Sequence, residues 1–266
     1  MYKELYRKKR MKSYLIIFWF GLCSAVLQTC PSQWSVEKKY KDLVFLADVV
    51  SWNSGYEQVR SNYRCVYEKE GLYDTRMRIY MNTENETIIT FRPTQSTTDG
   101  GQIHVDRHLS NCTFLNDHCK GRVHDRFQSA FNSLIDAAPF SSLLQSSHFI
   151  VGHSLGGSFS LFMALYSYHV LQKIPKIVLG LAGPFIGDDQ FAQLYEPLYQ
   201  NTEWYQVESV NKWNPSEFDG TVQEYNVDHA PYINIYEKAI CTVTVPKLPD
   251  SYGMHDLRNY ALFFTG

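Results

Sequence analysis

The 266-residue sequence has no excess of charge of either sign, with 25 Lys and Arg against 27 Asp and Glu for a net of -2. Outside the first twelve residues there is no basic block, which excludes the electrostatic footprint of a nucleic-acid-binding protein. No apolar run reaches the ~20 residues that a bilayer-spanning helix needs. No internal repeat, low-complexity tract or linker divides the chain. These absences leave one large domain with ample length to bury a core. The 19 Tyr and 16 Phe suit broad apolar surfaces, although a core alone absorbs that number.

The first thirty residues differ from the rest. Lys3, Arg7, Lys8, Lys9, Arg10 and Lys12 precede the apolar stretch Tyr14 to Leu27, and Cys23 and Ala25 fit a small-residue cleavage site. This is the pattern of a secretory signal. It predicts a signal peptide over 1–25 and a single mature domain over 26–266. An uncleaved anchor is the other reading, and a start at Met11 leaves a shorter basic region of the usual kind.

Secretion makes disulfides the expected state of the remaining cysteines, Cys30, Cys65, Cys112, Cys119 and Cys241. Cys112 and Cys119 are close enough along the chain to close a short loop, and Cys30 or Cys65 is left to pair with Cys241. The acceptor triplets at Asn85 (NET) and Asn111 (NCT) predict a glycosylated, extracellular surface.

Helical spacing of Tyr40, Leu43, Val44, Leu46, Ala47 and Val50 predicts a first helix between Ser35 and Trp52. The runs RMRIYMN (76–82) and TIITFR (87–92) flank the polar TENE and read as a hairpin. A polar stretch follows from Thr94 to Arg122. Then come a helix over VHDRFQSAFNSLIDAA, a buried strand HFIV, a helix over Phe159 to Leu171, and a strand KIVLGLAG after Pro175. Strands alternating with helices predict an α/β fold with a mostly parallel central sheet and a site at the carboxyl ends of its strands.

Between HFIV and the following helix stands GHSLG, residues 152–156. A G-x-S-x-G flanked by strand and helix is the setting of a nucleophile elbow. The turn strains Ser154 so that its hydroxyl stands clear. Gly152 and Gly156 are needed because a Cβ at either place collides across the turn. The helix starting at once aims its first amides at the reaction centre, so the Leu155 amide can donate to a developing oxyanion. The alternative is a glycine-rich turn with an idle serine.

With TFRPT (90–94), GRVHDRF (121–127), VGHSLGGS (151–158), GPFIGDDQF (183–191), SVNKWNP (209–215) and MHDLRNY (254–260) in this order, the sequence resembles the class 3, or fungal-type, triacylglycerol lipases. These are α/β-hydrolases, and the resemblance spans residues 75–264. It implies that Thr94, at the end of F-R-G-[ST], supplies the second oxyanion donor; without the resemblance Thr94 simply ends a strand. Pro93 replaces the usual glycine, which removes one amide but leaves the hydroxyl and amide of Thr94. The resemblance makes His255 the general base.

The other histidines fit poorly. His153 is the variable elbow position. His124 matches a structural V-H-x-G-F motif in which Arg126 stands for glycine. His104, Asp106 and His108 read as a solvated face rather than metal ligands, and His169 reads as core or edge of a helix.

The third triad position breaks the pattern, since the family acid aligns with Asn214. An amide orients the imidazole but gives its cation no charge, and in a serine-protease triad the change of Asp to Asn costs about 10⁴ in kcat. Three outcomes stay open: Asn214 serves a slow enzyme, Glu217 or Asp219 reaches His255 instead, or ester hydrolysis is lost. Asp219 has the shorter side chain and the adjacent Gly220. The resemblance also implies a lid-like segment after the oxyanion strand. Here that segment, Gln95 to Gly121, is polar, with only Ile103, Val105, Leu109, Phe114 and Leu115 apolar. A large amphipathic face is not expected. The expected partner is a lipid or small ester, with transient contact at a lipid surface and with no metal, organic cofactor or nucleic acid.

Overall fold

The two β-rich runs flanking TENE fold as the expected hairpin. Strand β2 (Arg76–Asn82) pairs antiparallel with β3 (Thr87–Phe91), Ile79 opposite Ile89. Asn82 closes the turn by accepting the amides of Glu84 and Glu86 on its side-chain oxygen. Asn85 follows with φ at 59°, a left-handed conformation that asparagine tolerates. The structure, a computed structural model, describes residues 38–49, 62–93, 109–144, 148–181, 183, 186–207 and 241–245.

From this hairpin the sheet grows both ways. On one side lies β1 (Tyr63–Glu70), antiparallel to β2. On the other, β6 (His148–His153), β7 (Ile177–Leu181), β8 (Thr202–Val207) and β9 (Cys241–Val245) add in parallel, giving the order β1-β2-β3-β6-β7-β8-β9. A register ladder of Ile79, Ile89, Ile150 and Val178 crosses four strands on one face. Helices α2 (Asp125–Ile135) and α4 (Leu155–His169), separated along the chain by the single turn α3 (Phe140–Leu143), bury that face through Phe127, Phe131, Phe159 and Phe162. Helix α1 (Lys38–Val49) packs on β3 and β6 with Leu43, Val44, Leu46 and Ala47 buried. A sheet covered on both sides explains why β3, β6 and β7 are near-continuous apolar runs.

Three expectations need correction. Val123 is not in the helix: it lies in β5 (Arg122–His124), which pairs with β4 (Leu109–Asn111), and α2 begins only at Asp125. His124 caps that helix, its Nδ1 accepting the Phe127 amide at 3.4 Å, which is the structural role expected of it.

The expected lid-like segment also shrinks. Its second half is anchored by β4, by the Cys112–Cys119 disulfide, and by Phe114 and Leu115, which are buried in the main core. The Phe114 ring lies 4.8 Å from that of Phe162 and 5.2 Å from that of Phe131. Phenylalanine needs no amphipathic helix to find a core, so the polar surroundings hid this anchor.

The alternative pairing of Cys65 with Cys241 is excluded. These residues lie on β1 and β9, opposite edges of the sheet, six strand spacings or about 29 Å apart, against the ~7 Å that a disulfide allows. Cys30 lies outside the described residues.

Candidate active site

Strand β6 is buried along its whole length and ends in His153. Ser154 then turns the chain into α4 with φ 56° and ψ -130°, a region non-glycine residues enter only when the surroundings force them. The forcing contacts are visible. The Ser154 amide donates to the carbonyl of Leu181 on β7 at 2.8 Å, and the Ser154 carbonyl accepts from the Gly157 amide at 2.8 Å. The backbone is thus fastened on both sides while the residue is half-buried. The two glycines are where close approach demands them. A Cβ on Gly152 would meet the Gly156 oxygen at 2.0 Å, and one on Gly156 would meet the Phe91 oxygen at 2.2 Å.

That second contact carries the geometry of the site. The end of β3 presses on the first turn of α4, and Phe91 and Gly152 are partners in the parallel ladder. Leu155 and Gly156 open α4, where helix amides have no partner within the helix and the dipole favours negative charge. The carboxyl end of β3, the turn at Ser154 and the N-terminus of α4 therefore meet at the carboxyl edge of the parallel strands. Ligands of open α/β sheets bind at this edge.

Of the residues expected from the sequence, Ser154, Gly152, Gly156 and Leu155 are brought together here. Thr94, His255, Asn214, Glu217 and Asp219 lie outside the described residues, as do His104, Asp106 and His108. The topology bears on them only through the strands ahead of them. Strands β8 and β9 run parallel to β6. The chain therefore leaves Val207 and Val245 at the same sheet edge as Ser154.

Asn85 and Asn111 are both exposed, as glycosylation acceptors must be. His169 is at the far end of α4, about 22 Å along the axis from Ser154. It stacks on His118 with ring centroids 5.1 Å apart, and burial, then the neighbouring His118, holds its imidazole below its ordinary pKa. Among the described residues no group of three or more His, Cys, Asp or Glu is placed to hold a metal.

One pair at this edge escaped the sequence. Arg92, 5% exposed, forms a two-pronged ion pair with Asp74, Nη1 to Oδ1 at 3.2 Å and Nη2 to Oδ2 at 2.7 Å. The only sequence signal was an arginine embedded between a buried strand and a proline.

With the elbow and its neighbours placed, comparison with known proteins becomes informative. The family model for lipase (class 3) matches residues 88–212. This stretch is similar to the class 3 lipases. The match takes in β3 from Ile88 onward, the elbow, β7 and β8, and it supports the activity class of that family, carboxylic-ester hydrolysis. Among solved structures, the Lip2 lipase of Yarrowia lipolytica is similar over 83% of this chain and 84% of its own, at 14% identity and a TM-score of 0.58. Lipase II from Rhizopus niveus is similar over 82% of each chain, at 14% identity and a TM-score of 0.55. At such identities the likeness is one of fold, the α/β-hydrolase sheet. No curated protein sequence matches the chain.

Proposed function

We propose that the lipase domain is a secreted serine hydrolase cleaving esters of lipids or small acyl esters, with an atypical third triad member. The observation that carries the reading is the strained Ser154 at the β6–α4 turn, φ 56°, held by Leu181 on one side and Gly157 on the other. Strain of this kind persists where a hydroxyl must be presented. Ser154 Oγ attacks the ester carbonyl carbon while His255 takes its proton. The Leu155 amide and Thr94 receive the oxyanion. The bond to the leaving alcohol breaks as His255 returns the proton, and water, activated by the same imidazole, releases the acid. This chemistry needs no metal or organic cofactor.

Secretion is proposed on the N-terminal pattern and on the Cys112–Cys119 disulfide, which requires an oxidising compartment. Cys30 is the partner proposed for Cys241. The substrate preference follows from the lid-like segment. With Phe114 and Leu115 committed to the core, its remaining apolar residues are too few for a broad lipid-seeking face. Soluble esters and partial glycerides are favoured over bulk fat.

A second reading, a lipase-like protein that binds lipid or a protein partner without turnover, is favoured by one feature, the amide of Asn214 at the acid position. A fluorophosphonate probe separates the two. The hydrolase reading requires labelling of the wild type that disappears in Ser154→Ala, together with turnover of p-nitrophenyl esters. Labelling without turnover supports the binding protein, and no labelling at all overturns the elbow as a working site.

A further inference from the structure

We infer that Asp74 and Arg92 are positioning residues for the oxyanion side of the site, a role that rests on the serine-hydrolase reading above. Arg92 is fixed twice. Its amide continues the β2–β3 ladder by donating to the Arg76 carbonyl at 3.0 Å. Its guanidinium, nearly buried, grips the Asp74 carboxylate with two nitrogens. Two parallel bonds fix direction as well as distance, which a single charge contact does not.

Asp74 is built to offer that carboxylate. It ends the short turn Leu72–Asp74, in which Tyr73 and Asp74 take φ 57° and 55°, two successive left-handed non-glycine residues. Such a turn persists only when over-determined. The Leu72 amide donates to Ser133 Oγ on α2 at 2.8 Å, the Gly71 amide donates to the Thr75 carbonyl at 2.9 Å, and Thr75 Oγ1 donates to the Leu72 carbonyl at 2.7 Å. The chain thus holds strain that aims one acid at one arginine, with α2 as the anchor.

What Arg92 holds is the end of β3. The Phe91 and Arg92 carbonyl oxygens stand 2.2 and 3.2 Å from where a Gly156 Cβ would be, so the strand end sets the seat of the first turn of α4, which carries Leu155, the proposed amide donor. Thr94, the other expected donor, follows Arg92 by one proline. A strand end free to move would shift the first turn of α4, and errors of about 1 Å in such geometry cost up to about 100-fold in rate.

The test uses the full chain and a double-mutant cycle of Asp74→Asn with Thr94→Val. It reads the second-order rate of fluorophosphonate labelling, kcat and KM on p-nitrophenyl butyrate, and thermal stability. Asp74→Asn keeps the side-chain shape and is expected to slow labelling and kcat about 10-fold with KM within twofold. In the Thr94→Val background the same change is expected to cost a clearly smaller factor, because the hydroxyl it positions is gone while the backbone amides of residues 94 and 155 remain. Equal factors in both backgrounds overturn the inference and leave the pair a structural one, as does wild-type labelling speed in Asp74→Asn. A wild type that is not labelled overturns the hydrolase reading itself, and Thr94→Val without effect overturns Thr94 as the positioned donor. If Asp74→Asn lowers stability severely, Arg92→Lys serves as the second variant. It retains the charge but not the fork, and it must reproduce the split between kcat and KM.

Discussion

The Cβ that Gly152 lacks would lie 2.0 Å from the carbonyl oxygen of Gly156, so the two glycines of the elbow exclude side chains from one shared space. The obstructing atom is backbone in a buried turn and cannot swing aside. Gly152→Ala is expected to cost about 3 kcal/mol or more of stability, at the upper end for overpacking, and to abolish labelling of Ser154. Denaturant unfolding with probe labelling checks both. A stable, labelled Gly152→Ala protein would contradict the geometry of the turn.

The triad acid has three outcomes that substitution separates. Asn214→Asp raises turnover of p-nitrophenyl butyrate by at least tenfold if Asn214 lies against His255. If Glu217 or Asp219 serves instead, Asn214→Asp leaves turnover unchanged, and Glu217→Gln or Asp219→Asn removes it. Turnover absent in the wild type and restored by Asn214→Asp identifies lost hydrolysis at this one position.

His148 predicts an acid-sensitive stability. Its ring is fully buried at the start of β6, neither nitrogen has a hydrogen-bond partner among the described residues, and burial, with Lys173 adding to it, pushes its pKa down to about 4. The unfolded chain has the ordinary value near 6.5, so between these values it binds more protons than the folded form. Stability is therefore full above about pH 7 and falls as pH drops from about 6.5 to 4, by up to about 3 kcal/mol. His148→Leu is expected to flatten that slope. Urea unfolding of both proteins at pH 8 and pH 5 measures it, and parallel slopes would remove His148 as the cause.

Loss of the Cys112–Cys119 bridge tests the anchored half of the lid-like segment. The loop is short, with a sequence separation of 7, so chain entropy alone gives about 2–3 kcal/mol. The double replacement Cys112→Ser, Cys119→Ser should lower stability by that amount while leaving Ser154 labelled. Loss of labelling in a folded protein would mean that the bridge reaches the site.

Much of this architecture could be read from the residues. The hairpin follows from β-branched alternation, the elbow from glycine spacing between a strand and a helix, and the parallel sheet from alternating elements. What stayed hidden was concealed by charge or by distance. Strand β1 carries the exposed Glu68 and Glu70, whose cross-strand partners Arg78 and Arg76 are buried, with Arg78 Nε 2.6 Å from Glu68 and Arg76 paired with both acids. A periodicity argument cannot see a cross-strand partner. Asp74 and Arg92 escaped for the same reason, being separated along the chain by two strands of the sheet. Phe114 and Leu115 escaped because a short apolar pair in a polar segment has no period at all.

The order of elements also bears on how the molecule is made. Strands β3 and β6, helix α4 and the core as far as Leu198 all precede His255 in the chain. Synthesis runs from the N-terminus at about 5–20 residues per second, so the serine turn has several seconds to assemble before the proposed base leaves the ribosome. A nascent chain thus carries its nucleophile unarmed until the segment that holds His255 has followed it out.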